Sequence, residues 1–269
     1  MLGGGNLGRA LAVGWVAAGQ VKPGEVHVTR RQTEKLDDLA AAGFVVSADN
    51  AGAVSTSEVV VLAVQPQQLD GLMGEVAELL RPGHHRVISV VSGASVAELR
   101  AAIAPGVPIV RAMPNTAVSI GESMTCLCAE QGGEGTSQAA ADALAETEAL
   151  FEAVGMTLVI REEMMVPATA LCACGVAFFL RCIRAASQGG IEIGFHPEEA
   201  LLLAGQTARG AAALSLKEDT HPEGEIDRVT TPRGCTIAGL NEMEHQGLSS
   251  ALIKGLIVSA RAAEGLYED

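Results

Sequence analysis

The sequence predicts an α/β protein in which an N-terminal doubly wound parallel sheet is followed by an all-helical C-terminal domain. Up to about residue 160, short β-branched runs alternate with segments rich in Ala, Leu and Glu, the pattern of repeated βαβ units. A glycine-rich segment, Gly3–Gly8, runs directly into the first helical pattern. After Glu163 the strand pattern ends and long Ala/Leu-rich segments follow. We therefore predict one domain over residues 1–160 and a second over residues 161–269.

Each element of the first domain follows from local composition. β-branched runs predict strands at Val26–Thr29, Val59–Val64, Arg86–Val91, Pro108–Arg111 and Met156–Ile160. The intervening segments predict helices at Leu7–Ala18, Thr33–Ala42, Gln67–Leu80, Val96–Ile103 and Ser137–Ala153. Strands and helices in this order favour parallel pairing, with helices on both faces of the sheet.

The second domain is predicted to contain helices alone. Pro197 and Pro222 each follow a His and precede acidic residues, which is typical of a helix start. An apolar stripe recurs at helical spacing near the end, at Leu252, Ile253, Leu256, Ile257 and Ala260. A smooth face of small residues comes earlier, at Ala204, Gly205, Ala208, Ala211 and Ala212. Because these helices have no sheet to cover, we expect them to form a homodimer.

Composition excludes several classes of protein. The chain has 269 residues, 48% of them hydrophobic, and a net charge of −14, so it is neither disordered nor suited to nucleic acid or anionic membranes. The uncharged stretch Met164–Leu180 falls just short of the ~18 residues that indicate a membrane span, and none is predicted. Without a secretory leader, the cysteines are expected to be reduced and the protein cytoplasmic. The two Cys-x-Cys pairs lack zinc-site spacing, so no metal is predicted.

The glycine-rich segment predicts a dinucleotide site. Gly3, Gly5 and Gly8 match Gly-x-Gly-x-x-Gly, in which the first permits a tight turn, the second admits a pyrophosphate and the third lets helix and strand pack. The first domain is therefore predicted to be of the Rossmann type. Only Met1 and Leu2 precede the loop. We therefore expect either that the first strand is very short or that the true translation start lies upstream of Met1. A disordered glycine-rich terminus is the alternative.

The end of the next strand predicts which dinucleotide is bound. An acidic residue there would bind the ribose 2′-hydroxyl of NAD, but this chain has Thr29-Arg30-Arg31. Because a guanidinium group matches the geometry of a phosphate, we predict NADPH, with Arg30 or Arg31 at its 2′-phosphate and NADH as the less favoured cofactor. Two solvated arginines at a strand end are the alternative interpretation.

Further polar groups follow other strands, where ligands of such sheets bind. Asn115 and Thr116 follow one predicted strand and are placed beside the expected nicotinamide position. In the helical half, hydroxyl and turn residues of the segment Thr230–Thr236 precede a helix, an arrangement that can bind a carboxylate. The alternative is that Thr236 only caps its helix.

These segments together resemble the pyrroline-5-carboxylate reductases, which complete proline synthesis. The resemblance covers nearly the whole chain and is carried by Gly3–Gly8, Ala63–Pro66, Arg111–Thr116, Thr169–Leu171 and Thr230–Gly239. It implies NADPH-dependent reduction of L-1-pyrroline-5-carboxylate to L-proline, a dimer made by the helical domain, and in many members a decamer. Implied cofactor contacts are Leu2, Gly3, Gly4, Gly5, Asn6, Leu7, Arg30, Asn50, Ala63, Val64, Gln65, Pro66, Val90, Val91 and Ser92. Implied substrate contacts are Glu162, Val229, Thr231, Gly234, Cys235 and Thr236. Asn115 is added to these predicted substrate contacts because it follows a predicted strand at the ligand-binding end of the sheet.

The reaction explains why no catalytic constellation stands out. A protonated cyclic imine is already electrophilic, so it needs a hydride and correct orientation but no nucleophile or metal. We expect Thr236 and nearby N–H groups to hold the substrate carboxylate while Glu162 steadies the iminium nitrogen.

The chain departs from the family at three places. Gln65 stands where Lys is usual, Cys172–Ala177 replaces Ser-Gly-Ser-Gly-Pro-Ala, and Arg233 replaces a glycine. The sequence leaves two rival functions. A β-hydroxyacid dehydrogenase would use a lysine base at the start of its helical half, but no Lys lies between Lys35 and Lys217. A non-catalytic, NADP-binding regulatory protein is the other rival.

Overall fold

The computed structural model describes residues 1–130 and 137–265 and divides into two compact units. The first comprises Met1–Cys174 and the described residues from Ser259 onward, and the second comprises Gly175–Val258. The domain boundary near residue 160 stays a prediction.

The first unit is built around a mostly parallel sheet. Its strands are β1 (His27–Thr29), β2 (Val45–Ser47), β3 (Val59–Leu62), β4 (Arg86–Ser89), β5 (Ile109–Met113), β6 (Ser123–Ala129) and β7 (Gly155–Val159). β1 pairs with β2, and the others follow the order β3-β4-β5-β6-β7. The β5–β6 pair alone is antiparallel among these described pairings. The predicted doubly wound α/β sheet is confirmed, but β2 and β6 were not anticipated.

The residues ahead of the glycine loop lie in the middle of this sheet. Leu2 forms parallel bridges to both Thr29 and Leu62, and its backbone N–H donates to Val61 O at 2.8 Å. Leu2 therefore joins β1 to β3, at the position where the feeding strand of a dinucleotide-binding loop belongs. The alternative of a disordered glycine-rich terminus is not what the structure shows.

The helices of the first unit connect the strands. They are α1 (Asn6–Ala17), α2 (Asp37–Ala41), α3 (Asn50–Ser55), α4 (Leu69–Val76), α5 (Val96–Ala102), α6 (Gln138–Glu152) and α7 (Met165–Ala168). The predicted helix at residues 33–42 begins as the 3₁₀ turn Thr33–Leu36, and 3₁₀ turns also flank α4. A π-helical segment, Thr169–Cys174, follows α7. α3 was not predicted.

Alternate residues of each central strand enter two different cores. Val61 and Ile88 pack in one core with Trp15 of α1, whose ring meets Phe151 edge-on at 5.5 Å. Val60 and Val87, one residue earlier in each strand, pack in the other core, with apolar residues of α3, α4 and α5. Because successive strand side chains point to opposite faces, the sheet is covered on both sides. Each fully buried side chain stabilises the fold by about 1.5–3 kcal/mol.

The glycine loop allows α1 to start against the sheet. Gly3 has φ +113°, and a β-carbon there would overlap with the carbonyl of Ala63. A β-carbon at Gly8 would overlap with the carbonyl oxygen of Gly3. Both positions therefore require glycine because backbone meets backbone without space for a side chain.

The second unit is helical, as predicted. Its helices are α8 (Gly175–Glu192), α9 (Pro197–Ser215), α10 (Pro222–Val229) and α11 (Cys235–His245), and α12 (Leu248–Glu264) extends beyond its boundary. α9 and α10 begin at the predicted prolines, and His221 Nδ1 accepts from Glu223 N–H at 3.3 Å to cap α10. α8 and α9 approach closely where a β-carbon at Gly190 would lie 3.1 Å from Ala200 Cβ.

One helical run is apolar enough to cross a membrane by length and composition. It spans Glu162–Glu192 in the described residues, and 22% of its most apolar window is buried. The run is longer than the uncharged stretch that the sequence suggested. The absence of a membrane span therefore stays a prediction.

Gly8→Ala should lower the free energy of unfolding by about 3 kcal/mol, because the new methyl group forces α1 away from Gly3. Urea unfolding monitored by circular dichroism measures the loss. Gly71→Ala is the matched control, since nothing lies within 4 Å of its β-carbon position inside α4, and it should gain about 0.5–1 kcal/mol. Equal stability of the two variants would contradict the packing described for the loop.

Arg233→Gly should stabilise the protein by about 0.5–1 kcal/mol. Arg233 has φ +61°, which costs a residue with a side chain about 1–2 kcal/mol, and part of that gain is lost to the greater freedom of unfolded glycine. Arg233→Val should instead destabilise, because a β-branched residue resists this backbone. The same urea titration compares the three proteins, and a valine variant as stable as the glycine variant would refute the strain.

Candidate active site

The start of α1 presents unoccupied backbone donors. Gly5 precedes the helix in an extended conformation, no side chain caps it, and no acidic residue lies in the first turn. A β-carbon at Gly5 would meet nothing within 4 Å. The first N–H groups of a helix have no partner within it and carry partial positive charge. The open space at Gly5 therefore fits a pyrophosphate, and a side chain there would fill it.

Arg30 lies against this loop. Its Nη1 donates to Gly4 O at 2.7 Å, whereas Arg31 is exposed. Next to it, Thr29 Oγ1 donates to Asn50 Oδ1 at 2.6 Å, and Asn50 Nδ2 donates to Glu75 Oε2 at 2.6 Å. Arg30 and Asn50 are thus held at the same end of the sheet as the glycine loop. Sequence reasoning missed Glu75, which fixes the Asn50 amide.

Two other predicted segments follow neighbouring parallel strands. Ala63–Pro66 follows β3, with Ala63 N–H donating to Leu2 O at 2.8 Å, and Val90–Ser92 follows β4. The side chains of Val90 and Val91 are buried, so only their backbone groups are available to a ligand. Gln65 is exposed. The structure thus brings the loop and both segments to one edge of the sheet.

Glu162 forms a cluster that the sequence did not reveal. Its Oε1 accepts from Val96 N–H at 2.6 Å and from Arg111 Nη1 at 3.1 Å. Arg111 is buried within β5, whereas the side chain of Glu162 is 39% exposed. Burial raises the pKa of nearby Cys128 to about 11, with Arg111 opposing the rise and Glu162 adding to it. The thiol therefore stays neutral beside this ion pair.

The clue to that cluster was a lone charge in an apolar strand. Arg111 interrupts the run Ile109–Met113, and a buried guanidinium requires an anionic or carbonyl partner. Glu162 lies 51 positions later in the sequence, so only the fold reveals the pair. With Oε1 used twice, the Glu162 carboxylate has a fixed orientation.

Asn115 is buried and its amide group is engaged within the protein. Its Oδ1 accepts from Ala117 N–H at 3.0 Å, and its Nδ2 donates to Cys172 O at 3.3 Å. Its own N–H donates to Ser123 Oγ at 3.2 Å. Asn115 thus connects the end of β5 to the π-helical segment. A direct contact of this amide with a substrate stays a prediction.

The remaining predicted substrate residues lie in the second unit, around the start of α11. Gly234 precedes this helix, and no side chain caps it. Thr236 is therefore the second residue of the helix and is not its cap, which excludes the alternative drawn from the sequence. Thr231, Cys235 and Val229 are exposed. The start of α11 offers backbone donors beside the Thr236 hydroxyl, an arrangement suited to a carboxylate.

In the parts of the chain that the structure describes, no group of three or more His, Cys, Asp or Glu side chains could hold a metal ion. The groups described above are backbone donors, hydroxyls, the amides of Asn50 and Asn115, the Arg30 guanidinium and the Arg111–Glu162 ion pair. Such groups bind and orient anions and polar ligands.

Two family models match the chain. Residues 1–93 match the model described as NADP oxidoreductase coenzyme F420-dependent. Residues 162–266 match the pyrroline-5-carboxylate reductase dimerisation model. A dimerisation domain of this kind is therefore present in the helical half.

Curated relatives and a solved structure are similar to this chain over nearly its whole length. The chain is 49% identical over 272 residues to pyrroline-5-carboxylate reductase 1 of Dictyostelium discoideum, covering 99% of this chain and 49% of the relative, so it spans about half of that protein. It is 47% identical over 269 residues to pyrroline-5-carboxylate reductase 2 of the same organism, covering 97% and 90%. The crystal structure of Plasmodium falciparum pyrroline carboxylate reductase with NADP bound shares the fold, with TM-score 0.88, 21% identity and coverage of 99% and 96%. On this identity and coverage, the chain belongs to the pyrroline-5-carboxylate reductase family.

Proposed function

We propose that this protein reduces L-1-pyrroline-5-carboxylate to L-proline with NADPH, the last step of proline biosynthesis. The observation that carries the proposal is the uncapped start of α1 at Gly5, with Arg30 fixed on the same loop. It supplies a site for a dinucleotide phosphate in a chain that belongs to this reductase family. The reaction acts on a CH–NH group and makes the protein an oxidoreductase.

The cofactor is proposed to lie along the edge of the sheet. The N–H groups at the start of α1 hold the pyrophosphate, and the Arg30 guanidinium binds the 2′-phosphate with N–H groups not used on Gly4. Backbone groups of Ala63–Pro66 and Val90–Ser92 line the path toward the nicotinamide. The bound cofactor supplies the hydride; the protein supplies binding and orientation.

The substrate is proposed to be held through its carboxylate. The N–H groups at the start of α11 and the Thr236 hydroxyl bind this carboxylate, and they fix the position of the ring. Glu162, oriented by Arg111 and Val96, carries the negative charge that favours a protonated imine nitrogen. Asn115 holds the adjoining π-helical segment in place.

The assembly is proposed to be a homodimer formed through the helical domain, with decamers as the next level, in the cytoplasm. Large apolar side chains are exposed on α8 and α9, among them Phe179, Leu180, Leu201, Leu202 and Leu203. A second copy covering these side chains would remove their apolar surface from water. Burial of α8 against a second copy would also explain why the run Glu162–Glu192 is so apolar without requiring a membrane.

The purified protein should oxidise NADPH when L-1-pyrroline-5-carboxylate is added, and should use NADH less well. Absorbance at the reduced nicotinamide band, with proline identified by mass spectrometry, measures the reaction. NADPH binding without turnover would remove the reductase assignment and favour the regulatory rival.

Arg30→Ala should weaken NADPH binding about 10- to 100-fold, because a charge-assisted contact of about 1.5–3 kcal/mol is lost. NADH binding should change less than about twofold, since NADH lacks the phosphate. Fluorescence titration gives both dissociation constants, so the result does not depend on turnover. Arg31→Ala tests the other arginine predicted at the phosphate, and it should weaken NADPH binding less than Arg30→Ala. An equal loss of affinity for NADPH and NADH would mean that Arg30 only stabilises the glycine loop and does not bind the 2′-phosphate.

Thr236→Val should lower kcat/KM for pyrroline-5-carboxylate about 10-fold, the effect of losing a hydrogen bond of about 1.5 kcal/mol to a charged group. NADPH affinity should stay unchanged, because the proposed cofactor residues are elsewhere in the chain. Thr236→Ser keeps the hydroxyl and should restore most activity. If the valine and serine variants perform equally, the hydroxyl does not bind substrate.

A further inference from the structure

Two cysteines that take no part in the proposed reaction lie close together, one on β6 and one in the π-helical segment. Cys126 lies on β6 and Cys172 in the π-helical segment, 46 positions later, and their sulfur atoms are 3.8 Å apart. Both residues are in the first compact unit.

The surroundings of the two thiols differ. Cys126 is buried with Met113, Cys128 and Met165, whereas Cys172 is half-buried at the border of this cluster. The two thiols share a hydrogen bond in which either sulfur can be the donor. This contact lowers the pKa of Cys172 to about 7 and, together with burial, raises the pKa of Cys126. A thiolate is the reactive form of cysteine. Cys172 is thus the accessible nucleophile and Cys126 the neighbouring thiol.

We propose that Cys126 and Cys172 form a site of reversible oxidation by hydroperoxides, in which Cys172 reacts first and Cys126 closes a disulfide. The Cys172 thiolate attacks the terminal oxygen of the hydroperoxide, so an S–O bond forms and the O–O bond breaks. The departing alkoxide, which is hydroxide when the oxidant is hydrogen peroxide, leaves as an alcohol or as water after protonation. The Cys126 sulfur then attacks the sulfenic sulfur, so the S–S bond forms and the S–O bond breaks. The water that departs carries away the Cys126 proton. The two thiols lose two electrons, which the peroxide accepts.

The disulfide would act on the region that Asn115 organises. Closing the bond brings sulfur atoms now 3.8 Å apart to about 2.05 Å, which draws the π-helical segment toward β6. Cys172 O accepts the Asn115 Nδ2 hydrogen bond at 3.3 Å, so that bond has to adjust. Oxidation would thereby link the sheet covalently to the start of the matched dimerisation segment.

Treatment of the purified full chain with hydrogen peroxide tests the site. In the wild type, two of the six thiols should be lost after denaturation, the mass should fall by two hydrogens, and peptide mapping should join Cys126 to Cys172. Dithiothreitol should restore both thiols. Cys126→Ser should instead accumulate a dimedone-reactive sulfenic acid at residue 172, and Cys172→Ser should leave Cys126 reduced.

Cys174→Ser is the matched control, since it changes a half-buried thiol of the same segment and should form the disulfide like the wild type. Circular dichroism spectra confirm that each variant is folded. A wild-type disulfide that uses Cys174, or a residue 172 that is oxidised while Cys126 stays free, would overturn the proposal. Unchanged thiols under peroxide that oxidises free cysteine would do the same. These readouts do not depend on reductase activity.

Discussion

The contact between Gly3 and Gly8 is the constraint on which the site depends. At this point the backbone of α1 lies directly against the loop that leaves the sheet, with no room for a β-carbon at either residue. The contact fixes the start of α1 beside the ends of β1 and β3. Gly4 O is held there as well, where it accepts from Arg30. The direction of the α1 dipole, and hence the place where an anion is favoured, follows from this packing.

A second set of polar contacts joins the far strands to the segment that begins the helical half. Glu162 accepts from Arg111 and from the N–H that opens α5, and Asn115 donates to Cys172 O. Each contact spans more than 50 positions in the sequence. Removal of Glu162 would leave the buried guanidinium of Arg111 without its carboxylate, which is costly. Polar contacts, and not only apolar packing, therefore hold this segment near the ends of the strands.

The sequence predicted the features that repeat locally. Strand and helix alternation gave the sheet class, and the helix starts at Pro197 and Pro222 were correct, because a proline and its neighbours act over one turn. β2 was missed because three residues, Val45–Ser47, are too few to establish alternation. β6 was missed because Thr125 is its single β-branched residue and because antiparallel pairing breaks the βαβ pattern.

Pairings across the fold were beyond local reasoning. The Arg111–Glu162 pair, the Asn50–Glu75 contact and the approach of Cys126 to Cys172 each depend on which strands are neighbours. The same limit applied to Thr236, whose place as second residue of α11 depends on the turn at Arg233 and Gly234. From the sequence, Thr236 could either cap its helix or bind the substrate. The backbone conformation excludes the first role, because Gly234 occupies the capping position.

Part of the proposed chemistry depends on backbone groups and not on side chains. An electrophilic imine needs no nucleophile, so binding by backbone N–H groups at the starts of α1 and α11 can do much of the work. A backbone N–H persists whatever side chain its residue carries. Substitutions elsewhere in the site leave these N–H groups in place, whereas Gly3 and Gly8 leave no room for any side chain. Arg233 is intermediate, because its backbone conformation is retained at a cost in stability.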